Sequence, residues 1–415
     1  MSSGTNDNIK ALAKGAVGCI VTPALQCTNF NETDDMNRVS KIFKDKGEYE
    51  EELASSMKLS EKLKDVKRAN EYFIYKATDC KLDAKQKERL NKEQIKSKCS
   101  DPAIAIADIY VLNYDYGGES IESILNTAPL ADIINNVLLN LHNLFEGLIK
   151  LNSNLIYHLD LSTDNVLLSH DKMKIIDFGR CFIAEDENSF NASFIKTHFS
   201  KNGGNFGKPK YVAPELLATI PGGEYMLAFK FGNELYTERG VNKDYIMDLK
   251  TQIKAGNLSL KECFEKADVW ALGAILYIIK KILPDFSKVL PGVARALETL
   301  IESLTSIDLN SRPNIHEAFK QYKKFVKTFN EGRGVFTPSP TPSPTLLPAD
   351  LALPTVSPVA RVSSKVARVS SKDVASRLAS KGGKTSRKSR KSRKHQKRLT
   401  KRKKVGRRKH TYKRR

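Results

Sequence analysis

The sequence lacks the features of a membrane or secreted protein. No apolar run reaches the roughly 18 residues that a transmembrane helix needs. The first ten residues, MSSGTNDNIK, lack the apolar stretch of a secretory signal peptide. The six cysteines are scattered, with no C-x-x-C pair and no Cys/His cluster of zinc spacing. We therefore expect reduced thiols, a cytoplasmic location and no membrane association.

Positive charge is abundant but unevenly placed. The 415 residues include 69 Lys and Arg against 47 Asp and Glu, a net charge of +22. Residues 331–415 hold 26 of the basic residues and 3 of the acidic ones, which leaves 43 basic and 44 acidic for residues 1–330. The sequence thus predicts a nearly neutral globular part followed by a strongly basic tail.

The periodicity of apolar residues changes along the globular part. Short apolar runs between Gly and Pro predict strands in residues 9–43, and IYVLNY at 109–114 predicts another. Helices are predicted at 47–66, at 130–153 as one long helix, and at 266–282, where apolar residues lie almost all round. A β-rich first third and a helical remainder indicate two lobes of an α+β protein.

The C-terminal residues are of low complexity. TPSPTPSPTLLP at 337–348 predicts an extended linker within residues 331–380, where ARVSSK also occurs twice. Residues 381–415 carry 20 basic residues and no acidic one, so we expect a tail that is disordered without a partner. Such a block is typical of binding to nucleic-acid phosphates. Nuclear targeting is the alternative interpretation.

Two short motifs suggest phosphoryl transfer. HLDLSTDN at 158–165 places Asp160 and Asn165 five residues apart, and IIDFGR follows with Asp177. Phosphoryl transfer needs a carboxylate beside the attacking hydroxyl, hard oxygen ligands for Mg²⁺, and a cation for the phosphates.

These motifs resemble those of eukaryotic-type protein kinases, in the same chain order. HLDLSTDN is similar to the catalytic loop H-R-D-L-x-x-x-N, and DFG is similar to the magnesium-binding motif. The resemblance implies that Asp160 orients the substrate hydroxyl and that Asn165 and Asp177 bind Mg²⁺. It also implies a two-lobed protein-kinase-like fold, with an N-lobe at 9–115 and a C-lobe at 116–330.

Three later motifs extend the resemblance. GKPKYVAPE resembles the end of an activation segment and closes on Glu215. KADVWALG is similar to the buried helix whose acidic residue, here Asp268, braces the catalytic loop. DLNSRP supplies Arg312, which the resemblance pairs with Glu215. The spacing from Glu215 to Asp268 implies an insert at residues 218–262.

Shorter motifs resemble the nucleotide-binding segments of protein kinases. LAKGAVGCIV resembles a glycine-rich loop, with Gly15 and Gly18 in its second and third positions and Ala13 replacing the first. VLNYDYGG resembles the hinge, which implies Leu112 as gatekeeper and Asn113 to Asp115, including Tyr114, facing adenine. The residues implied to sandwich the base are Leu12, Ile20, Val39 and Leu167.

The resemblance also implies an ion pair near the phosphates. VSK takes the place of V-A-I-K and makes Lys41 the phosphate-holding lysine. Its partner is expected on the 47–66 helix, where Glu52 is our choice because Leu59 and Leu63 then fall on the same face. Glu48 and Glu51 stay open as alternatives.

Three positions depart from the family pattern. Leu159 replaces the arginine of H-R-D, so control by activation-loop phosphorylation is not expected. Ser162 stands where serine/threonine kinases carry a lysine, and Lys208 stands where they carry a threonine. We hypothesise that Lys208 returns the missing charge to the γ-phosphate and is part of the catalytic machinery.

The preferred interpretation is a serine/threonine protein kinase that uses ATP and Mg²⁺ on protein substrates. A basic tail for nucleic-acid binding or targeting would follow the catalytic domain. The alternative is a pseudokinase scaffold without phosphate transfer. A small-molecule phosphotransferase is a third interpretation, which APE and DVWALG disfavour. The glycine-rich segment, the insert and the tail also resemble kinases of large DNA viruses.

Overall fold

The fold was obtained as a computed structural model of the chain. The linker and tail predicted beyond residue 334 lie outside the described residues, as do Gly15 and Lys208. The structure describes residues 10–14, 18–29, 37–84, 87, 90, 109–169, 171–191, 209–219, 234–283 and 290–334.

The N-terminal part contains a five-stranded antiparallel sheet, ordered β1-β2-β3-β5-β4. Its strands are β1 Lys10–Lys14, β2 Gly18–Thr22, β3 Arg38–Phe43, β4 Thr78–Cys80 and β5 Tyr110–Asp115. In the pairing of β3 with β5, Ser40 lies opposite Asn113 and Lys41 lies opposite Leu112. Because successive side chains of a strand alternate, these two pairs lie on opposite faces of the sheet.

The face that carries Ser40 is closed by a small core of its own. Ser40 Oγ donates to Asn113 Oδ1 at 2.6 Å and accepts a hydrogen bond from the N–H of Leu25 at 2.7 Å. These bonds matter because an unpaired polar group is costly to bury. The buried apolar residues of this core are Cys19, Val21, Leu25, Ile42, Cys80, Leu90 and Val111.

A disulfide between Cys27 and Cys80 joins the segment after β2 to strand β4. The expectation of reduced thiols is therefore wrong for this pair. The two cysteines are 53 residues apart, and only the pairing of β4 within the sheet brings them together. Cys181 and Cys263, which lie in the C-terminal part, are free and buried.

Helix α1, Lys46–Lys62, connects the sheet to the rest of the molecule. Asp45 caps its N-terminus by accepting a hydrogen bond from the N–H of Glu48 at 3.0 Å, which satisfies a donor that the helix itself leaves free. At the other end, Leu59 and Leu63 are buried in the C-terminal core. The sheet and α1 together form the N-lobe.

The C-terminal part is mainly helical and forms the C-lobe. Its helices are α2 Ile121–Thr127, α3 Leu130–Asp132, α4 His142–Ser153, α5 Pro214–Thr219, α6 Glu234–Glu238, α7 Lys243–Lys254, α8 Leu260–Ile282, α9 Pro291–Leu304 and α10 Ile315–Gly334. Strands β6 Glu119–Ser120, β8 Val166–Ser169 and β9 Lys172–Ile175 form one sheet, and β7 Ile156–Tyr157 pairs with β10 Phe182–Ile183. The predicted α+β architecture of two lobes is confirmed.

The prediction of one long helix at residues 130–153 is wrong. The chain makes the single turn α3, continues as a π-helix at Ile133–Leu138, breaks, and restarts as α4. Tyr322 of α10 occupies the break, because its hydroxyl accepts from the N–H of Leu141 at 2.9 Å and donates to the carbonyl of Leu138 at 3.0 Å. A contact from a distant helix thus overrides the local apolar periodicity.

The described parts of the insert at residues 218–262 pack into the C-lobe core. Tyr236 of α6 contacts Trp270 of α8 edge-on, with ring centroids 5.8 Å apart, and donates a hydrogen bond to the carbonyl of Val212. Ile246 of α7 is fully buried. These helices are therefore part of the lobe's hydrophobic core and not an appendage on its surface.

Among the described residues, none of the helices combines the length and apolar character needed to cross a bilayer.

A fully buried ion pair joins α5 to the segment before α10. Arg312 Nη1 lies 2.5 Å from Glu215 Oε1, and Nη2 lies 3.2 Å from Oε2. Arg312 also stacks over the ring of Trp270 at 5.0 Å and donates to the carbonyl of Lys266 at 3.1 Å. The pair matches the one implied by the sequence resemblance, and it connects three separate parts of the C-lobe.

We expect Arg312→Leu to lower the free energy of unfolding by about 3–5 kcal/mol, because Glu215 would be left buried without its counter-charge. Urea denaturation followed by the fluorescence of the single tryptophan, Trp270, measures this change. Lys327→Leu is the control, since its ion pair with Glu331 is exposed and contributes little. Equal stabilities of the two variants would contradict the prediction.

Candidate active site

The loop at residues 158–165 joins β7 to β8 and is held by one buried carboxylate. Asp268 of α8 accepts hydrogen bonds from the backbone N–H groups of His158 and Leu159, each at 2.8 Å. Burial raises the pKa of Asp268, whereas these two N–H groups act to lower it. Leu159 adopts a left-handed conformation with φ +59°, which is unfavourable for leucine and is retained by these bonds. The loop therefore presents Asp160 in a fixed position.

Asn165 closes the same loop through its side chain. Its Nδ2 donates to the carbonyl of Asp160 at 2.8 Å, and its backbone N–H donates to the carbonyl of Ser162 at 3.1 Å. The amide oxygen is the atom of this group that can bind a cation, and the hydrogen bond from the amide nitrogen sets its orientation. The loop thus fixes the spacing of Asp160 and Asn165 by internal hydrogen bonds.

Asp177 follows β9 and also has a left-handed conformation, with φ +61°. Its Oδ1 accepts a hydrogen bond from the N–H of Gly179 at 3.4 Å. The charge of Asp177 acts on two other site residues, because it raises the pKa of both Lys41 and Asp160. These three groups come from distant parts of the sequence and form one electrostatic cluster.

Asp160 is held in a mostly buried environment. Burial raises its pKa to about 6, and the neighbouring Asp177 adds to this rise. Arg180 and the hydrogen bond from Asn165 act in the opposite direction. A carboxyl group with a pKa nearer neutrality accepts a proton more readily than an ordinary aspartate does.

Lys41 and Glu52 form an ion pair between β3 and α1. Lys41 Nζ lies 2.5 Å from Glu52 Oε2, with side chains 15% and 18% exposed. Burial disfavours the charged lysine, but Asp177 and Glu52 outweigh it and raise the pKa of Lys41. Lys41 therefore keeps its positive charge. The structure selects Glu52 among the three glutamates considered from the sequence.

Arg180 is a site residue that the sequence reasoning did not identify. It ends a short 3₁₀ helix, Phe178–Arg180, and its Nε lies 3.7 Å from Asp160 Oδ2. One sequence feature could have identified Arg180. It directly follows the DFG motif in a chain whose catalytic loop has Leu159 and Ser162 at the two positions where the family carries a cation. The motif itself assigns no role to the residue after DFG.

Comparison with known proteins agrees with this geometry. Residues 109–229 match the family profile of the protein kinase domain. The chain has a two-lobed, protein-kinase-like fold. A curated relative is the CBL-interacting serine/threonine-protein kinase 8 of Arabidopsis thaliana, 32% identical over 109 residues. The match covers 26% of this chain and 22% of the relative, so it spans only about a fifth of that protein's length.

A protein-kinase fold implies ATP and a divalent metal. Within the described ranges, no group of three or more His, Cys, Asp or Glu is arranged to hold a metal ion. Asn165 and Asp177 instead offer one amide oxygen and one carboxylate. This donor set fits Mg²⁺, which keeps several waters and takes its other ligands from substrate phosphates.

The five-stranded sheet presents several of the implied nucleotide-binding residues on the face of Lys41. Ile20, Lys41 and Leu112 are aligned across three strands, and Val39 is aligned with Tyr114. Leu112 is fully buried, as expected for a residue at the back of a pocket.

Two glycines let the segment after β5 approach strand β8. A Cβ on Gly117 would come within 2.6 Å of Leu167 Cδ1, and a Cβ on Gly118, at φ +93°, would come within 2.0 Å of the carbonyl oxygen of Leu168. The glycines therefore place Leu167 against the hinge segment. Leu12, the remaining implied sandwich residue, is 49% exposed.

Gly18 of the glycine-rich loop is required by strand packing. A Cβ on Gly18 would lie 2.5 Å from the carbonyl oxygen of Ile42, which is backbone and cannot move aside. Packing within the sheet therefore explains why this residue is glycine, whether or not the segment contacts a phosphate.

The expectation that Asn113 and Tyr114 face adenine is corrected, because both side chains have other partners in the structure. The side chain of Asn113 lies on the face opposite Lys41, where its Nδ2 donates to the carbonyl of Leu25 at 3.1 Å, so it does not face an adenine site. Tyr114 lies on the same face as Lys41, but its hydroxyl donates to Glu52 Oε1 at 2.6 Å. The strand register decides both orientations.

Tyr114 therefore has a positioning role that the sequence did not indicate. Glu52 is held from two sides, by the ammonium of Lys41 and by the phenol of Tyr114. Burial, together with the nearby charge of Glu52, raises the pKa of Tyr114, so the phenol stays protonated and remains a hydrogen-bond donor. The bond links β5 to α1 across the base of the site.

We expect Tyr114→Phe to weaken Mg-ATP binding about tenfold, because a hydrogen bond to a charged group contributes on the order of 1.5 kcal/mol or more. Isothermal titration calorimetry measures the affinity, and hydrogen exchange of α1 measures the loosening of the helix. Tyr116→Phe is the matched control, since Tyr116 is 45% exposed. Unchanged affinity and unchanged exchange in Tyr114→Phe would contradict the positioning role.

Proposed function

We propose that the protein is a serine/threonine protein kinase that transfers the γ-phosphate of ATP to hydroxyl groups of protein substrates. One observation carries this proposal. Lys41, tethered to Glu52 at 2.5 Å, shares a single electrostatic cluster with Asp160 and Asp177. A scaffold has no need to gather a buried lysine and two carboxylates in this way.

Each charged residue has a distinct role in the proposal. Asp160 accepts a hydrogen bond from the acceptor hydroxyl, orients it, and receives its proton. Lys41 holds the phosphates of ATP. Asn165 and Asp177 would hold Mg²⁺, which neutralises phosphate charge when bound. Glu52 keeps Lys41 in position.

The proposed nucleotide site also has an apolar part. Its walls would contact the adenine, with Leu112 at the back, and the backbone at Gly15 and Gly18 would pass over the phosphates. The residues proposed to form the walls are Leu12, Ile20, Val39 and Leu167.

A pseudokinase scaffold is the second candidate function. The observation that favours it is Ser162, which occupies the position of a catalytic-loop lysine and is only 5% exposed. Lys208 remains our sequence-based proposal for the missing cation, although it lies outside the described residues. Transfer activity distinguishes the two candidates.

We expect the full chain to transfer labelled phosphate from Mg-ATP to itself and to a basic generic protein substrate. Asp160→Asn should lower turnover by about 10²–10⁴-fold, because the base-like carboxylate is lost. Acid hydrolysis of the product and separation of its phosphoamino acids should give phosphoserine and phosphothreonine.

Asp171→Asn provides the matched control for this experiment. Asp171 is an exposed aspartate in the turn before β9, away from the site residues. Nucleotide binding, followed by thermal shift, should survive in both variants. Nucleotide binding without any transfer by the unaltered chain would favour the scaffold.

We further propose that the basic residues at 381–415 bind nucleic acid through its phosphates. The 20 positive charges there have no acidic residue among them to pair with. Together with the segment from Gly15 to Cys27 and the insert, the tail also supports a proposed relation to kinases of large DNA viruses. The kinase activity does not depend on this second proposal.

The affinity of the full chain for a duplex DNA probe should fall steeply with salt. Each phosphate contact contributes about 0.9 to the slope of log affinity against log salt. Replacing the seven Lys and Arg of residues 401–409 with Gln should reduce that slope. Gln at Lys320, Lys324 and Lys327 of α10 should leave it unchanged. An affinity independent of salt in the unaltered chain would refute the electrostatic role.

A further inference from the structure

Arg180 is a cation beside the proposed hydroxyl-orienting residue, and it has no role in the proposed kinase function. Its Nε lies 3.7 Å from Asp160 Oδ2, and the two side chains are 29% and 17% exposed. The short helix that ends at Arg180 begins at Phe178, which packs against His158 with ring centroids 5.1 Å apart. The position of Arg180 is thus fixed by packing at the base of the loop that carries Asp160.

The guanidinium of Arg180 is only partly engaged. Its Nη1 is buried and has no hydrogen-bond partner among the described residues. A guanidinium presents five N–H donors in a planar fork that matches the oxygen atoms of a phosphoryl group. Nε therefore faces Asp160, Nη1 is buried without a partner, and the exposed part of the side chain is available to a ligand.

The residues around Arg180 carry an excess of negative charge, which a cation would neutralise. Two carboxylates, Asp160 and Asp177, lie within electrostatic reach of each other, while Lys41 is tied to Glu52. The catalytic loop itself has no cation, because Leu159 and Ser162 occupy the two positions where one would be expected. Phosphoryl transfer depends on neutralising charge that spreads over the equatorial oxygens.

We infer that Arg180 contacts the transferring phosphoryl group and supplies in cis the positive charge that the catalytic loop lacks. The inference rests on the proposed kinase function. In the transfer, the acceptor oxygen forms a bond to the γ-phosphorus while the bond from that phosphorus to the β–γ bridging oxygen breaks. The hydroxyl proton passes to Asp160, the electron pair leaves with ADP, and Arg180 binds the equatorial oxygens throughout.

The distance to Asp160 supports this assignment. A hydroxyl hydrogen-bonded to Asp160 lies about 2.7 Å from its carboxylate, and the phosphorus it attacks lies about 3–3.5 Å further on. A guanidinium anchored 3.7 Å from the same carboxylate is close enough to reach the phosphoryl oxygens. Arginine suits this task better than lysine because its fork binds two oxygens at once.

Nucleotide binding to the full chain tests the inference without relying on turnover. Calorimetry would compare Mg-ADP with a non-hydrolysable Mg-ATP analogue, which differs by the γ-phosphate. We expect Arg180→Ala to weaken the analogue about tenfold while ADP affinity and thermal stability stay unchanged. Arg180→Lys should restore part of the discrimination, because it keeps the charge without the fork.

Turnover gives the second measurement. Arg180→Ala should lower kcat about 10²–10³-fold and raise the KM for ATP by up to about tenfold, in line with the analogue, since a contact that is present in the ground state and strengthens in the transition state is lost. Arg295→Ala, at an exposed arginine on α9, is the matched control and should change neither value. A higher kcat in Arg180→Ala would overturn the inference and identify Arg180 as a brake on Asp160.

Lys208→Ala decides between the two candidate cations. Loss of γ-phosphate discrimination in Lys208→Ala but not in Arg180→Ala would overturn the inference. If the unaltered chain transfers no phosphate, the kinase proposal fails. Loss of discrimination in Arg180→Ala would still support the γ-phosphate contact, and unchanged discrimination would refute it.

Discussion

The carboxylate of Asp268 accepts hydrogen bonds from two consecutive backbone N–H groups, at His158 and Leu159, and the active-site loop depends on these bonds. They hold Leu159 in a left-handed conformation that its side chain disfavours. Asp160 follows directly, so its direction is set by an acid 108 positions later in the chain. Helix α8, which carries Asp268, is buried along most of its length and is therefore a rigid support.

The charged residues of the site come from two lobes, and its carboxylates outnumber its cations. Lys41 from β3 and Glu52 from α1 belong to the N-lobe, whereas Asp160 and Asp177 belong to the C-lobe. Asp177 acts electrostatically on Lys41 and on Asp160, and so connects the two halves. Bound nucleotide phosphates would add further negative charge to the site. A second cation such as Arg180 would help to neutralise it.

The departures from the kinase pattern are concentrated around the catalytic loop, while the supporting interactions are retained. Glu215 and Arg312 keep their buried pair, and Tyr236 from the insert adds a hydrogen bond to Val212, close to Glu215. The insert thus reinforces the part of the C-lobe that follows the activation segment. Its described helices contribute packing, which accounts for their buried aromatic and aliphatic side chains.

The sequence by itself determined the two-lobed architecture, because apolar periodicity is a local property and the order of motifs can be read directly along the chain. It also indicated the pairing of Arg312 with Glu215, and it narrowed the partner of Lys41 to three glutamates. The residues Asp160, Asn165 and Asp177 could be named because HLDLSTDN and DFG resemble the catalytic-loop and magnesium-binding motifs of protein kinases.

Only the tertiary structure decided which face of the sheet each hinge residue occupies. A shift of one residue in strand register exchanges the two faces, and no sequence pattern reports that register for Asn113 and Tyr114. The break in the predicted 130–153 helix depends on Tyr322, and the disulfide depends on the order of the strands. The contact of Arg180 with Asp160 likewise arises where two loops meet, because residues 20 positions apart are brought within 3.7 Å by packing alone.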